Sequence, residues 1–400
     1  MSLKLLLYTH DWFPQVGGIQ TVTMALAKGL SDLPATERGA SVTVTLATAT
    51  PAGGMDDSAL PFRVFRRPSL GELISEIRSA DVVHLAGAPL VPLGLSVLFR
   101  KPVVIEHDGY QVICPNGLLL FGSEHSLCPG HFMAGNYGKC MSCNTHSMGR
   151  WGSLRSLLLT FVRRWLAGRA SVHVAPSRHI GKRIALPRTQ LIVHGVAPVE
   201  SRSNPGTGTV NRRSDCFAFV GRLVREKGTE VLIRAAKDLS LDEPDFHIKI
   251  LGDGPERPVL EKMAQELGVG DRIEFVGSVP SEGIPAALAD AATVIMPSVC
   301  EDVAPLVAVE QLMQGRLLIG SDIGGLGEIT NGFGLKFPPG DASALAACMQ
   351  RVIHEPRLAE EMGEKARQHA LQTFTVERMI EDHLRLYQQL SKTGSATKHD

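Results

Sequence analysis

Apolar residues along this chain come in short runs, each closed by turn residues, with helix-like stretches between them. LKLLLYTH, SVTVTLAT, DVVHLAG, KPVVIEH, VHVAPS and LIVHGV make a first series; CFAFVGR, FHIKILGDG, IEFVGSV, ATVIMPS and RLLIGSD make a second. Short unbroken apolar runs suit strands covered on both faces, and their alternation with helices predicts doubly wound α/β sheets. Between the two series lies APVESRSNPGTGTVNRRSD, whose Pro, Gly, Ser and charge suit a linker. The expected organisation is two Rossmann-like domains facing each other across a cleft, over residues 1–197 and 214–375, with a linker at 198–213. A long helix over 376–392 follows, and residues 393–400 read as a disordered tail.

Composition narrows the function. At 400 residues the chain holds two or three domains of roughly 150 residues. Lys plus Arg equal Asp plus Glu at 41 each, so no net field points to nucleic acid. No apolar run reaches the ~18 residues of a membrane span, and MSLKLLLYTHDWFPQ turns polar too early for a signal peptide. Seven cysteines, an odd number, fit a reducing cytoplasm better than a disulfide framework.

In open α/β sheets ligands bind beyond the carboxyl ends of the strands, so motifs there carry the chemistry. FVGRLVREKG (219–228) puts Arg222 and Lys227 after the first strand of the second series, where a forked guanidinium and a point ammonium can clamp a diphosphate. A solvated basic turn would look the same. ILGDGPE with Gly252, and the loop of Ser278 and Val279, are strand-end turns that need no ligand to explain them. PSVCEDVAPLVAVEQLMQG (297–315) opens a helix near Pro305, ended by Gly315. Amides at such an N-terminus bind phosphate oxygens. Glu310 sits inside an apolar helix, where a buried carboxylate needs a partner such as a ribose hydroxyl. In the first series, Gly17 and Gly18 precede an apolar helix and let a ligand approach the backbone. His107 ends the strand KPVVIEH and can hydrogen-bond a sugar hydroxyl; His10, His84 and His194 also end strands.

Taken in order, FVGRLVREKG, LGDGP, FVGSVP, PSVCEDVAPLVAVEQLMQG and IGSDIGGLGEI resemble the second half of glycosyltransferase family 4, the retaining GT-B enzymes, and PQVGGIQ and VVIEHDGY resemble its first half. The resemblance implies a GT-B fold, a nucleotide-sugar donor (UDP- or GDP-sugar) on the C-terminal domain, and a glycan or lipid-linked acceptor on the N-terminal one. It implies Arg222 and Lys227 on the diphosphate, Glu310 on the ribose and His107 on the transferred sugar. It further implies that the last helix crosses back to the N-terminal domain. The family spaces its two acids as Glu, seven residues, Glu. Counting back eight positions from Glu310 reaches Asp302, not Glu301, and Asp302 is the expected catalytic acid beside His107. Val303, Ala304 and Pro305 replace the family's Gly-aromatic-Gly, so Val303, Ala304 and Leu306 are left to offer amides, Pro305 having none. No Asp-x-Asp motif is present, so the diphosphate charge falls to cations and amides without a catalytic metal.

Two stretches lie outside that pattern. Cys114, Cys128, Cys140 and Cys143 cluster after His107, and the CMSC spacing makes them a candidate structural zinc site, with free thiols or an iron–sulfur cluster as the alternatives and His125, His131 and His146 as further donors. RWGSLRSLLLTFVRRWLAGRA (150–170) is a basic helix rich in Leu and Trp. It suits either a peripheral membrane contact or a packed helix with its arginines outside; the second is preferred, because the segment leads into VHVAPS. The expected function is a retaining, metal-independent glycosyltransferase in polysaccharide or glycoconjugate synthesis. The alternatives are a sugar-nucleotide epimerase or hydrolase, or a non-catalytic nucleotide-sugar binder, which Asp302 in place of Glu keeps open.

Overall fold

The computed structural model describes residues 3–14, 17–33, 41–122, 126–197 and 212–396. The chain divides into two compact units, Met1–Val196 with Phe374–Asp400, and Ala197–Thr373. The expected linker at 198–213 falls outside the described residues up to position 211, and Arg213 already begins a strand.

The first unit is built on β1 (Leu3–Thr9), β2 (Val42–Thr48), β3 (Arg63–Arg66), β4 (Val82–Ala86) and β5 (Val103–Glu106). A short antiparallel hairpin follows, β6 (Leu120–Phe121) with β7 (Ser126–Leu127), and then β8 (Val172–Ala175) and β9 (Thr189–Leu191). Its seven-stranded parallel sheet runs β3-β2-β1-β4-β5-β8-β9. β5 is buried at every position, which its unbroken VVIE requires of a strand covered by helices on both faces.

The second unit holds β10 (Arg213–Val220), β11 (His247–Leu251), β12 (Ile273–Gly277), β13 (Ala291–Met296), β14 (Leu317–Ser321) and β15 (Leu335–Phe337), in the order β12-β11-β10-β13-β14-β15. Its core gathers Phe217, Ile248, Ile250 and Ile295 of the sheet with Leu232 and Met349 of flanking helices. In both sheets the order reverses next to the first strand, between β1 and β4 and between β10 and β13. Such a reversal leaves a crevice at the strands' carboxyl ends.

Three expectations need correction. LIVHGV is not a strand: sheet pairing ends at Leu191, and the chain then passes beside the start of the last helix, with one isolated bridge from Val196 to Thr375 and a Cβ on Gly195 that would stand 2.4 Å from the Thr375 carbonyl oxygen. β3 and β15, too short to stand out as apolar runs, are additional strands. The last helix runs Val376–Ala396, so residues 393–396 of the expected tail continue it, while 397–400 lie outside the described residues. That helix belongs to the N-terminal unit: Ile380 packs where a Cβ on Gly29 would be, and the Tyr387 hydroxyl meets His84 Nδ1 at 2.8 Å.

Candidate active site

In the second unit the loop after β10 and the loop after β13 flank the reversal point, and each supplies one charge. Lys227 Nζ donates to Asp302 Oδ1 at 2.6 Å, and Ser298 Oγ donates to Asp302 Oδ2 at 2.6 Å. Two backbone approaches create this geometry. Gly228 has φ of 68°, and a Cβ there would stand 1.9 Å from the Pro297 carbonyl oxygen, so only glycine lets the two loops touch. A Cβ on Gly325 would stand 1.9 Å from the Val303 carbonyl oxygen, and the Gly325 amide donates to the Asp302 carbonyl at 2.6 Å. The IGGLGE turn therefore clamps the backbone of Asp302.

Burial lowers the Lys227 pKa, but the Asp302 carboxylate more than offsets it, and the net shift is upward: the ammonium is held charged. Arg222 lies near enough to pull against that shift, yet its side chain is 73% exposed and reaches only Glu226, at 3.9 Å. One cation is thus fixed and the other is exposed to solvent.

The helix Leu306–Met313 follows, preceded by Pro305 and without a side-chain cap. Glu310 on that helix is the group left over. Burial raises its pKa, and its carboxylate has no hydrogen-bond or ion-pair partner among the described residues. An acceptor-only group in that state has its lone pairs available for incoming hydroxyl donors. Gly252 packs against the Gly221 carbonyl, bringing the turn after β11 beside the turn after β10. Val279, half-buried, follows the edge strand β12, two strands from β10.

In the first unit, Gly18 starts the helix Gly18–Ser31 after β1, with Gly17 exposed and extended as its N-cap. His107 follows β5, two strands away in the sheet. Its imidazole is buried, and its Nε2 lies 3.0 Å from His173 Nδ1. Burial and then His173 push His107 down to about 3, so it is a neutral hydrogen-bonding group.

Beneath it lies a buried network absent from the sequence reading. Glu106 accepts from His84 Nε2 at 3.0 Å and His194 Nε2 at 3.2 Å, with His383 Nε2 at 3.7 Å. Asp108 Oδ1 stands 3.4 Å from His194 Nε2. His84 and His194 had been noted only as strand-end histidines; Glu106, His383 and Tyr387 carry no local signal, because their meeting spans the whole chain. The network fastens the last helix to β4 and β5 at the base of His107.

The preferred reading of the basic helix holds in part: Ser153, Leu157, Thr160 and Ala167 are buried and Arg150, Arg155 and Arg169 are exposed, but two arginines and the tryptophans depart from it. The helix Tyr137–Ala167 is broken at Gly149 (φ 70°). Arg163 and Arg164 turn inward, donating to the carbonyls of Ala88 and Gln111 and of Ile184 and Ala185. Trp151 and Trp165 turn outward, 84% and 59% exposed, with Leu154, Leu158 and Phe161 on the exposed side too.

Residues 205–369 match the model of the family described as glycosyl transferases group 1. Among curated proteins, this chain is 33% identical to alpha-D-kanosaminyltransferase of Streptomyces kanamyceticus over 37% of its own length and 39% of the relative's. It is 34% identical to D-inositol 3-phosphate glycosyltransferase of Corynebacterium urealyticum over 46% of each chain. The chain thus spans less than half the length of these curated relatives. Among solved structures, sucrose-phosphate synthase from Thermosynechococcus elongatus superposes with a TM-score of 0.72 at 19% identity, over 98% of this chain and all of that one. Anabaena Alr3699/HepE in complex with UDP and glucose gives 0.69 at 18% identity, over 96% of this chain and 99% of that one. The fold is that of the GT-B glycosyltransferases, with two Rossmann-like α/β domains.

Proposed function

We propose that this protein is a retaining glycosyltransferase that moves a sugar from a nucleotide-diphosphate donor to a hydroxyl acceptor. The observation that carries the reading is a half-buried Glu310, without a partner among the described residues, on the helix that follows the Lys227–Asp302 pair at the reversal point of the second sheet. In this reading Lys227 and Arg222 hold the diphosphate. The uncapped amides at the start of the Leu306–Met313 helix add partial positive charge. Glu310 accepts from the ribose hydroxyls, and Asp302 and neutral His107 accept from or donate to hydroxyls of the transferred sugar. The leaving phosphate takes the acceptor's proton on the face from which it departs, so the reading requires no protein nucleophile. The complex of HepE with UDP and glucose makes a UDP-sugar the first donor to try.

The outward face of the 150–167 helix favours a second element. We propose that this face lies on an anionic membrane and brings the site to a lipid-linked acceptor in polysaccharide or glycoconjugate synthesis. Two tryptophans flank an apolar stripe, the Arg169 guanidinium stacks on Trp165 at 3.4 Å, and Arg150 and Arg155 are exposed beside it. That is the composition of an interfacial helix. No helix among the described residues is long and apolar enough to cross a membrane.

The test of the activity is thermal stabilisation by UDP, GDP and ADP, followed by incubation of the best nucleotide's sugar conjugates with hydroxyl acceptors. A ligand at 100 times its Kd stabilises by about 2.7 kcal/mol. Transfer with the donor's anomeric configuration kept supports the reading; inversion, epimerisation or hydrolysis alone, or binding with no turnover, overturns it.

A further inference from the structure

Every cysteine of the N-terminal unit lies in one place. Cys114 sits on the loop after His107, Cys128 just after the β6–β7 hairpin, and Cys140 and Cys143 one turn apart at the start of the Tyr137–Ala167 helix. All four are buried and all are free thiols. The excursion from Asp108 to Asn136 has little regular structure beyond that hairpin, and a loop of this length inside a compact domain needs something to hold it.

Two of the four sulfurs are met by polar groups of the same loop. Gly122 N–H donates to Cys143 Sγ at 3.2 Å, and the Asn116 side-chain amide donates to the same sulfur at 3.4 Å. The Cys114 thiol donates to the oxygen of that amide at 2.9 Å, so Asn116 bridges two of the four cysteines. The Cys128 amide is tied to the Leu119 carbonyl at 2.8 Å, and Arg183 donates to the Cys128 carbonyl at 3.1 Å. A Cβ on Gly122 would stand 2.8 Å from the Cys143 carbonyl oxygen, which shows how tightly the hairpin lies on the helix. Amides aimed at sulfur gain little from a neutral thiol and much from a thiolate, and four thiolates in a buried pocket need a cation among them.

We infer that Cys114, Cys128, Cys140 and Cys143 form a structural zinc site that pins the loop after His107 to the head of the Tyr137–Ala167 helix. Among the described residues no three of these sulfurs stand within 4.8 Å of one another. Metal binding draws them together to roughly 3.8 Å, the edge of a tetrahedron with Zn–S bonds of about 2.3 Å. Four thiols lose four protons on binding Zn²⁺, leaving a dianionic site that the Gly122 and Asn116 donors partly compensate. All four side chains come from the protein, so no position remains for a substrate water, and the role is to hold shape. This site is separate from the donor-binding residues, and the inference does not depend on the proposed transfer activity.

The test is elemental analysis of full-length protein purified without added metal, with a thiol titration before and after a mercurial releases bound ions. About one equivalent of zinc per chain is expected, with the four loop thiols unreactive until the metal is freed. Cys140→Ser and Cys143→Ser should each cut bound zinc at least tenfold and lower the Tm, while Cys348→Ser, in the other unit, should leave both unchanged. Should the loop variants fail to fold, Co²⁺ exchanged into the wild-type protein gives an independent readout, with intense thiolate-to-cobalt charge transfer expected. Wild-type protein with no bound metal and four reactive loop thiols overturns the inference, as does iron with an equal amount of inorganic sulfide.

Discussion

Lys227 and Asp302, 75 residues apart, meet at 2.6 Å between the two strands where the second sheet reverses its order. The same Asp302 carboxylate accepts from Ser298 Oγ, so Asp302 is the acid of this pair that stands against the cation. The one-residue difference in register therefore decides which acid faces the cation. Loss of a charge-assisted hydrogen bond costs roughly 1.5–3 kcal/mol. Asp302→Ala is expected to slow transfer about tenfold to a hundredfold, with Glu301→Ala costing much less. Rates at fixed donor and acceptor check this, and a larger loss for Glu301→Ala contradicts it.

Lys227→Ala is expected to weaken binding of a nucleoside diphosphate about tenfold or more while leaving nucleoside binding nearly unchanged. Arg222→Ala should do the same to a smaller degree, because its exposed side chain must be ordered when the ligand arrives. Calorimetric titration with uridine and with UDP separates the two effects. Equal weakening of both ligands would place the diphosphate elsewhere.

Glu310 poses a conflict between stability and binding. Its pKa is raised, so the stability of the folded state is fully present below the ordinary carboxylate value and declines as pH rises through the raised one. Glu310→Gln removes the half-buried charge and keeps the shape. The variant is expected to be more stable at pH 7 by about 1 kcal/mol, the low end of the cost of an unsatisfied buried group, and to bind the donor nucleotide several-fold more weakly. A drop in both Tm and affinity would mean that the carboxylate has a protein partner after all.

The histidines of the N-terminal unit predict an acid limit. His107 is pushed to about 3, His173 to about 4 and His383 to about 4, each mainly by burial. Between pH 6.5 and 4 the unfolded chain binds protons that these three refuse, so stability is present above pH 6.5 and is lost as pH falls. Asp108, pushed up to about 7 by burial, keeps a proton that the unfolded chain gives up and cancels one of the three. A net of about two protons corresponds to up to about 2.7 kcal/mol per pH unit. Tm measured from pH 7 to 5 should fall, and His107→Gln should flatten the slope by about one proton. A flat profile would contradict the assignment.

The outward tryptophans give a binding test. Trp151→Ser with Trp165→Ser is expected to cut association with phosphatidylglycerol vesicles at least tenfold in flotation, while Tm and nucleotide binding stay the same. Wild-type protein that ignores anionic vesicles would remove the membrane from the reading.

How far the sequence reached can be followed through particular residues. Strand identities such as VVIE and ATVIM were legible because strands buried on both faces must be apolar throughout, a local requirement. The placement of Lys227, Asp302 and Glu310 was legible because each lies at a fixed offset from a strand end or a helix start, which spacing records; the roles proposed for them rest on the experiments above. LIVHGV misled because an apolar run specifies burial but not pairing: Ile192 is buried, yet the chain there passes beside the last helix instead of extending β9.

The sequence by itself determined the two α/β domains, the strand-end position of the cations and acids, and the grouping of four cysteines in one loop. Those are consequences of local pattern and spacing. Only the tertiary structure decided the orientation of the 150–167 helix, since its apolar and basic residues interleave and either face could have packed. Arg163 and Arg164 found carbonyls to satisfy and turned in, leaving Trp151 and Trp165 outside. It also decided that Glu106 would be met by His84, His194 and His383. A buried carboxylate must be paired, but which distant residues supply its partners depends on chain crossings that no local pattern encodes.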